Sequence, residues 1–279
     1  MELAAGFIFL IITGAFICEY VDSTLGMGYG TTLTPVLLLV GFSPMQIVPA
    51  VLLSELVSGI LAGILHHFEG NVDFKPKTTN IVKIKDMIRS HGFFNGLRNT
   101  LSFHSKIVLL LASCSIIGTL IAVFIAVNIP KFWLKLYIGV LVLSMGLIIL
   151  ILNKKDFKFS PKKIFFLGFL ASFNKGMSGG GYGPVVTSGQ ILSGIHGKSA
   201  VGITSLAEGL TCLVGVIAYT LIRTNPVDWK LAPYIVTGAV LSVPFSAKSV
   251  KYISTNRLKL AIAILTIVLG TLTIVTTIV

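Results

Sequence analysis

Charge is what this sequence has least of. Only 11% of its 279 residues are charged, whereas a soluble globular chain carries about a quarter. That deficit excludes a water-exposed domain of ordinary composition. Acidic residues are scarcest, with ten Asp and Glu against 22 Lys and Arg, so any carboxyl inside an apolar run stands out. Cysteine is nearly absent: Cys18, Cys114 and Cys212 lie in apolar segments, an odd set without metal spacing. They imply neither a disulfide framework nor a zinc site, and read as small buried hydrophobes. Catalytic signatures are missing too. There is no G-x-x-x-x-G-K-[ST], no H-E-x-x-H and no suggestion of a Ser-His-Asp or Cys-His set, so neither an enzyme nor a cofactor or metal site is expected. The start, Met-Glu-Leu, lacks the basic region of a cleaved signal, and the first apolar stretch is expected to remain as a span.

What is present is apolar length. The chain is 54% hydrophobic with a mean hydropathy of +0.93. Ile107–Pro130, Leu136–Asn153 and Leu260–Val279 are each close to the ~20 residues of one bilayer crossing. An all-α polytopic membrane protein follows. The net charge of +12 does not point to nucleic acid, because the basic residues fall in short loops between apolar segments, where they set orientation.

Two stretches break the pattern: "DSTLGMGYG" from Asp22 and "NKGMSGGGYG" from Asn174. At an offset of 153 residues Gly26, Gly28, Tyr29 and Gly30 fall on Gly179, Gly181, Tyr182 and Gly183. Further on, Thr34 falls on Thr187, Gly41 on Gly194 and Glu55 on Glu208. Later echoes are "VDFK" at Val72 and "VDWK" at Val227, and "LKLYIG" at Leu134 and "LKLAIA" at Leu258. The chain reads as two copies of one unit, residues 1–153 and 154–279, joined near Lys154–Lys163. Each unit reads as five segments. The second of each, Thr31–Phe42 and Pro184–Ile195, has twelve residues and spans only ~18 Å of a ~30 Å core. Both are half-helices that start directly after a glycine stretch.

Basic residues then orient the chain. The loop over 68–106 holds seven Lys and Arg, the junction five, the loop Lys248–Lys259 four and the turn Gly194–Ser199 one, against two each in Asn128–Lys135 and Arg223–Lys230. The rich side is expected in the cytoplasm, with both termini external in a multi-pass plasma-membrane protein. The loop after the third segment then lies on opposite sides in the two units, which makes them inverted repeats, an arrangement typical of secondary transporters.

Glycine-rich backbone at membrane depth has to line a cavity or be buried in protein. A helix opening just after it offers free N–H groups and a positive dipole end. Two such ends aimed at one point form an anion site made of backbone: Gly26, Gly28, Tyr29, Gly30 and Thr31 from one copy, Gly179, Gly180, Gly181, Tyr182 and Gly183 from the other. The alternative is close helix packing, for which small residues are common in membranes. Lys175, the cation clearly away from any loop, either adds charge to the anion site, pairs with its repeat counterpart Asp22, or snorkels to the interface. Glu55 and Glu208 either carry a coupling proton, since burial disfavours a charged carboxyl, or pin the neighbouring broken helices by hydrogen bonds. Glu19 is read as reaching water, and His66 and His67 as a solvated helix end.

Glycine-rich hairpins in a duplicated membrane chain, followed by "TPVLLLVGFSP" and the V-D-[FW]-K segments, resemble the TauE/SafE family of sulfite and organosulfonate exporters. The resemblance spans the chain apart from Lys75–Ser105, and implies export of a small sulfur oxyanion or sulfonate. Expected partners are thus a small anionic substrate and the lipid bilayer, with a homodimer left open and no nucleic acid. Two other readings stay open: a proton- or cation-coupled carrier built on Asp22, Glu19, Glu55 and Glu208, and a membrane enzyme or assembly factor.

Overall fold

The computed structural model describes residues 5–78, 80–92, 95, 99–151, 161–252 and 255–279. The expected junction near Lys154–Lys163 lies largely outside them. Among the described residues the chain forms helices and no strands. In chain order these are α1 (Ala5–Leu25), α2 (Tyr29–Leu39), α3 (Pro44–Phe68), α4 (Ile81–His91), α5 (Phe103–Asn128) and α6 (Lys131–Ile151). The second half continues with α7 (Pro161–Ser178), α8 (Tyr182–Leu192), α9 (Gly197–Ile222), α10 (Ala232–Ser249) and α11 (Thr255–Ile278). Five of them, α1, α3, α5, α6 and α9, contain a stretch long and apolar enough to cross a membrane. Phe9, Phe124, Phe166, Leu241 and Phe245 are exposed on the outside, as suits a surface solvated by lipid rather than water.

The two half-helices are real and short, with 11 residues each. Each starts two residues earlier than expected, at Tyr29 and Tyr182, because Gly28 and Gly181 already sit at φ 137° and 78° and take the turn. Each also stops at a glycine of positive φ, Gly41 and Gly194, the usual left-handed helix ending. Beyond the first stop, Pro44 sits at the first position of α3 and Ser43 N–H donates to Gln46 Oε1 at 3.0 Å.

Long helices pair across the halves in a reciprocal way. Helix α1 packs on α10, and its sequence counterpart α7 packs on α5. Helix α3 packs on α9 and on α10, while α9 packs on α5; α6 and α11 pair with each other. Small residues set the closest approaches: a Cβ at Gly59 would lie 2.8 Å from Ser205 O, and one at Gly209 would lie 2.9 Å from Ile60 N. Without a hydrophobic drive between helices in lipid, such backbone contact is what holds them. The basic loop carries one element that the hydropathy pattern does not reveal. Helix α4 is an amphipathic helix of about three turns, capped by Asn80, whose side chain accepts from Val82 N at 2.9 Å.

Candidate functional site

At the centre the two glycine stretches cross. A Cβ at Gly30 would overlap the carbonyl of Gly179, and one at Gly183 would overlap the carbonyl of Gly26. These contacts are mirror partners under the 153-residue offset. A Cβ at Gly180 would fall 2.6 Å from the carbonyl carbon of Gly30. Backbone therefore meets backbone here, and only glycine leaves room for it. The N-termini of α2 and α8 are delivered to this one crossing, and Tyr29, Gly30, Thr31, Tyr182 and Gly183 are all buried in it.

The two sides are furnished differently. Thr187 of α8 donates to Gly26 O at 2.7 Å and shares a contact with Thr204 Oγ1 at 2.8 Å. Its counterpart Thr34 in α2 has no partner for its buried hydroxyl among the described residues, nor do Thr31 and Ser23. Tyr29 is anchored by its hydroxyl, 2.6 Å from Ser54 Oγ. Hydroxyls buried without partners are few in native proteins and call for an explanation.

Beside the crossing lies a buried charge cluster. Lys175, in the last turn of α7, is fully buried, and its ammonium donates to Glu208 Oε1 at 2.7 Å and contacts Glu55 Oε2. Glu55 comes from α3 and Glu208 from α9, so the two matched glutamates flank a single lysine. Carboxyl oxygens of Asp22, Glu55 and Glu208 all lie within 4.8 Å of one another. Asp22 also sits beside the backbone N–H of Tyr29 at the start of α2. Glu19, Asp22, Glu55, Ser58, Ser205 and Glu208 together line a small void with no room for a water molecule. One ammonium balances one of these four carboxyl groups; the rest are left to protons or a cation.

Three expectations need correcting. Lys175 does not snorkel, and its ion pairs run to Glu55 and Glu208 rather than to Asp22, because α7 turns its last turn toward the α3–α9 crossing. Glu19 does not reach water: α10 packs along α1, and Glu19 is 2% exposed. Nor is His66 solvated. After α3 the chain reverses at Gly70, and Asn71 and Val72 fold back over the imidazole. His66 Nε2 lies 2.8 Å from Ser23 O, and its Nδ1 lies 3.0 Å from Asn71 Nδ2. The amide of Asn71 also donates to Ala247 O at 2.9 Å. Reading a histidine at the end of an apolar run as solvated ignores what the following loop covers; the apolar Val72 just beyond Gly70 was the available signal.

A polar pocket of about 290 Å³ opens beside the crossing. It touches Thr24 and Leu25 at the end of α1 and is walled by His196, Lys198 and Lys251. Toward the opposite end, Gln46 Nε2 donates to Asp228 Oδ2 at 2.8 Å, and Arg223 donates to Met45 O at 3.3 Å. The second V-D-W-K segment thus closes over the start of α3.

Comparison with known proteins gives a family and a relative. The family model described as "Sulfite exporter TauE/SafE" matches residues 10–79 and 90–273. A curated relative, the "Probable membrane transporter protein YtnM" of Bacillus subtilis (strain 168), is 27% identical over 252 residues, covering 85% of this chain and 73% of its own. No solved structure matches the chain.

Proposed function

The chain belongs to the sulfite exporter TauE/SafE family, and from that premise we propose that this membrane transporter moves a small anion, sulfite or an organosulfonate, outward across the plasma membrane. The observation that carries the reading is the delivery of two half-helix N-termini to one central backbone crossing. The positive dipole ends of two helices brought to one point suit an anion. The unpartnered hydroxyls of Ser23, Thr31 and Thr34 add donors on the α2 side, and the His196–Lys198–Lys251 pocket offers a basic approach to it.

Alternating access fits halves that are inverted repeats, residues 1–153 and 154–279, and the reciprocal pairing of α1 with α10 and α7 with α5 supports that division. In this arrangement the loop over 68–106 is cytoplasmic and both termini are external. The crossing is closed in the state described, so the loops separate as the anion enters. Coupling to protons is favoured by a separate observation: four carboxyl groups surround one lysine. An anion that displaced one carboxylate from Lys175 would leave that carboxylate to take up a proton, so that anion and proton are carried together.

Flux from proteoliposomes tests the reading. Sulfite or a small sulfonate is expected to leave faster than sulfate or acetate, with a rate that responds to an imposed pH gradient. Flux of all four anions equal to that of protein-free liposomes would overturn transport of a small anion. Selective flux indifferent to the pH gradient would remove the proton and leave the anion.

A further inference from the structure

An apolar cavity lies away from the crossing. It is a groove of about 720 Å³ between α6, α7 and α8, walled by Met145 and Ile148, Phe166 and Leu170, and Val185 and Gly189. Its polar contributions are two serines and, at one end, Lys162 and Lys163. Both lysines are exposed and stand at the start of α7, level with Ile151 at the end of α6. The groove follows α8 from Pro184 near its start to Ser193 just past its end. Eleven residues of helix cover ~16 Å, about half of a ~30 Å hydrocarbon core. The groove is therefore one leaflet deep, apolar along its length and basic at its mouth.

Its counterpart in the first half is filled. There α11 packs over α2, and Ala263 closes on Leu25 and Met27. Helix α6, the match of α11, touches α8 only lightly, and the difference is this groove. A cleft lined by hydrocarbon and opening to lipid takes up hydrocarbon, and two lysines at the headgroup level select a negative headgroup.

We propose that the groove is a binding site for one acyl chain of an anionic phospholipid, its headgroup held by Lys162 and Lys163. The lipid then does for α8 what α11 does for α2, bracing the outer face of a half-helix. This holds whether or not the transported species is an anion.

Native mass spectrometry of the full chain, released from micelles containing equal phosphatidylglycerol and phosphatidylcholine, tests it. Wild type is expected to retain phosphatidylglycerol with a preference on the order of tenfold. Lys162→Ala with Lys163→Ala, an exposed pair, is expected to abolish the preference. Ser188→Trp, which fills the groove, is expected to lose both lipids. Equal retention of the two lipids by wild type, or an unchanged preference in the lysine double variant, overturns the proposal. Retention unaffected by Ser188→Trp overturns it as well, and means that the lipid sits elsewhere and the groove is closed by the chain itself.

Discussion

Helices α2 and α8 share a length, a glycine entry, a glycine stop and a tyrosine at the first position, yet their surroundings differ. Helix α2 is covered by α11, has Asp22 beside its first N–H, and keeps the hydroxyls of Thr31 and Thr34 without partners. Helix α8 borders the apolar groove against α6 and α7, follows a helix whose last turn carries Lys175, and spends Thr187 on a bond back to Gly26. The two half-helices thus differ in use: one keeps unbonded hydroxyls among the described residues, and the other spends its threonine on the crossing. Symmetry supplies the shape of the site, and departures from symmetry supply its chemistry.

The opposite signs at positions 22 and 175 should give the largest difference. Lys175→Met strands two buried carboxyl groups, and removing one member of a buried pair costs about 3–5 kcal/mol. Asp22→Asn keeps the size and acceptor of the side chain and is expected to cost far less. Thermal unfolding of both variants in detergent checks this, and Lys175→Met with Glu55→Gln and Glu208→Gln should regain most of the loss. A triple variant as unstable as the single would show that Lys175 holds something other than these two glutamates.

The glycine contacts should behave alike on both sides. Gly30→Ala and Gly183→Ala each drive a Cβ into a carbonyl of the opposite loop, and overpacking of this kind costs about 1–3 kcal/mol or more. Gly14→Ala meets nothing within 4 Å and is expected to be silent. Folded yield and melting temperature of the three decide the matter; a tolerated Gly30→Ala beside a damaging Gly183→Ala would break the reciprocity of the crossing.

Much of this was legible in the residues. The half-helices could be read because glycines punctuate both ends, and the glutamates because a carboxyl repeated in register inside apolar sequence has few explanations. What was not legible was which groups meet. Alignment placed Lys175 opposite Asp22, yet counterparts in a repeat need not touch; the contact depends on how α3 and α9 cross. The burial of His66 likewise depends on how Asn71 and Val72 fold back from the next loop, and that of Glu19 on α10, which comes from far along the chain. Helix α4 hid in a loop whose mean polarity masks an amphipathic face.

The threonines offer a finer contrast. Thr187→Val leaves the Gly26 carbonyl without its hydroxyl donor, while Thr204 still accepts from Gln190 Nε2, at a cost of about 1–3 kcal/mol. Thr34→Val removes a hydroxyl that bonds nothing described, and is expected to leave stability unchanged while weakening anion affinity. Isothermal titration with sulfite alongside melting curves separates the two effects. Weakened affinity from Thr187→Val alone would move the donors to the α8 side. The smallest effect is expected at the rim, where Lys251 Nζ and Glu69 Oε2 stand 3.2 Å apart. Lys251→Ala should change stability by less than about 1 kcal/mol, a shift that chemical denaturation can bound.

The imidazole of His66 has a mechanical consequence. Asn71 donates to its Nδ1, so the proton sits on Nε2 and points at the Ser23 carbonyl. One ring and one amide thereby lash the ends of α1, α3 and α10 together out of reach of water. Sliding any of these helices by a residue would break several buried bonds at once. At the far end of α3 the corresponding tie is the half-buried bond from Gln46 to Asp228, which water can replace. The tie at the histidine end of α3 is thus sealed from water, whereas the tie at its other end lies open to it, and helix α3 is fastened unequally at its two ends.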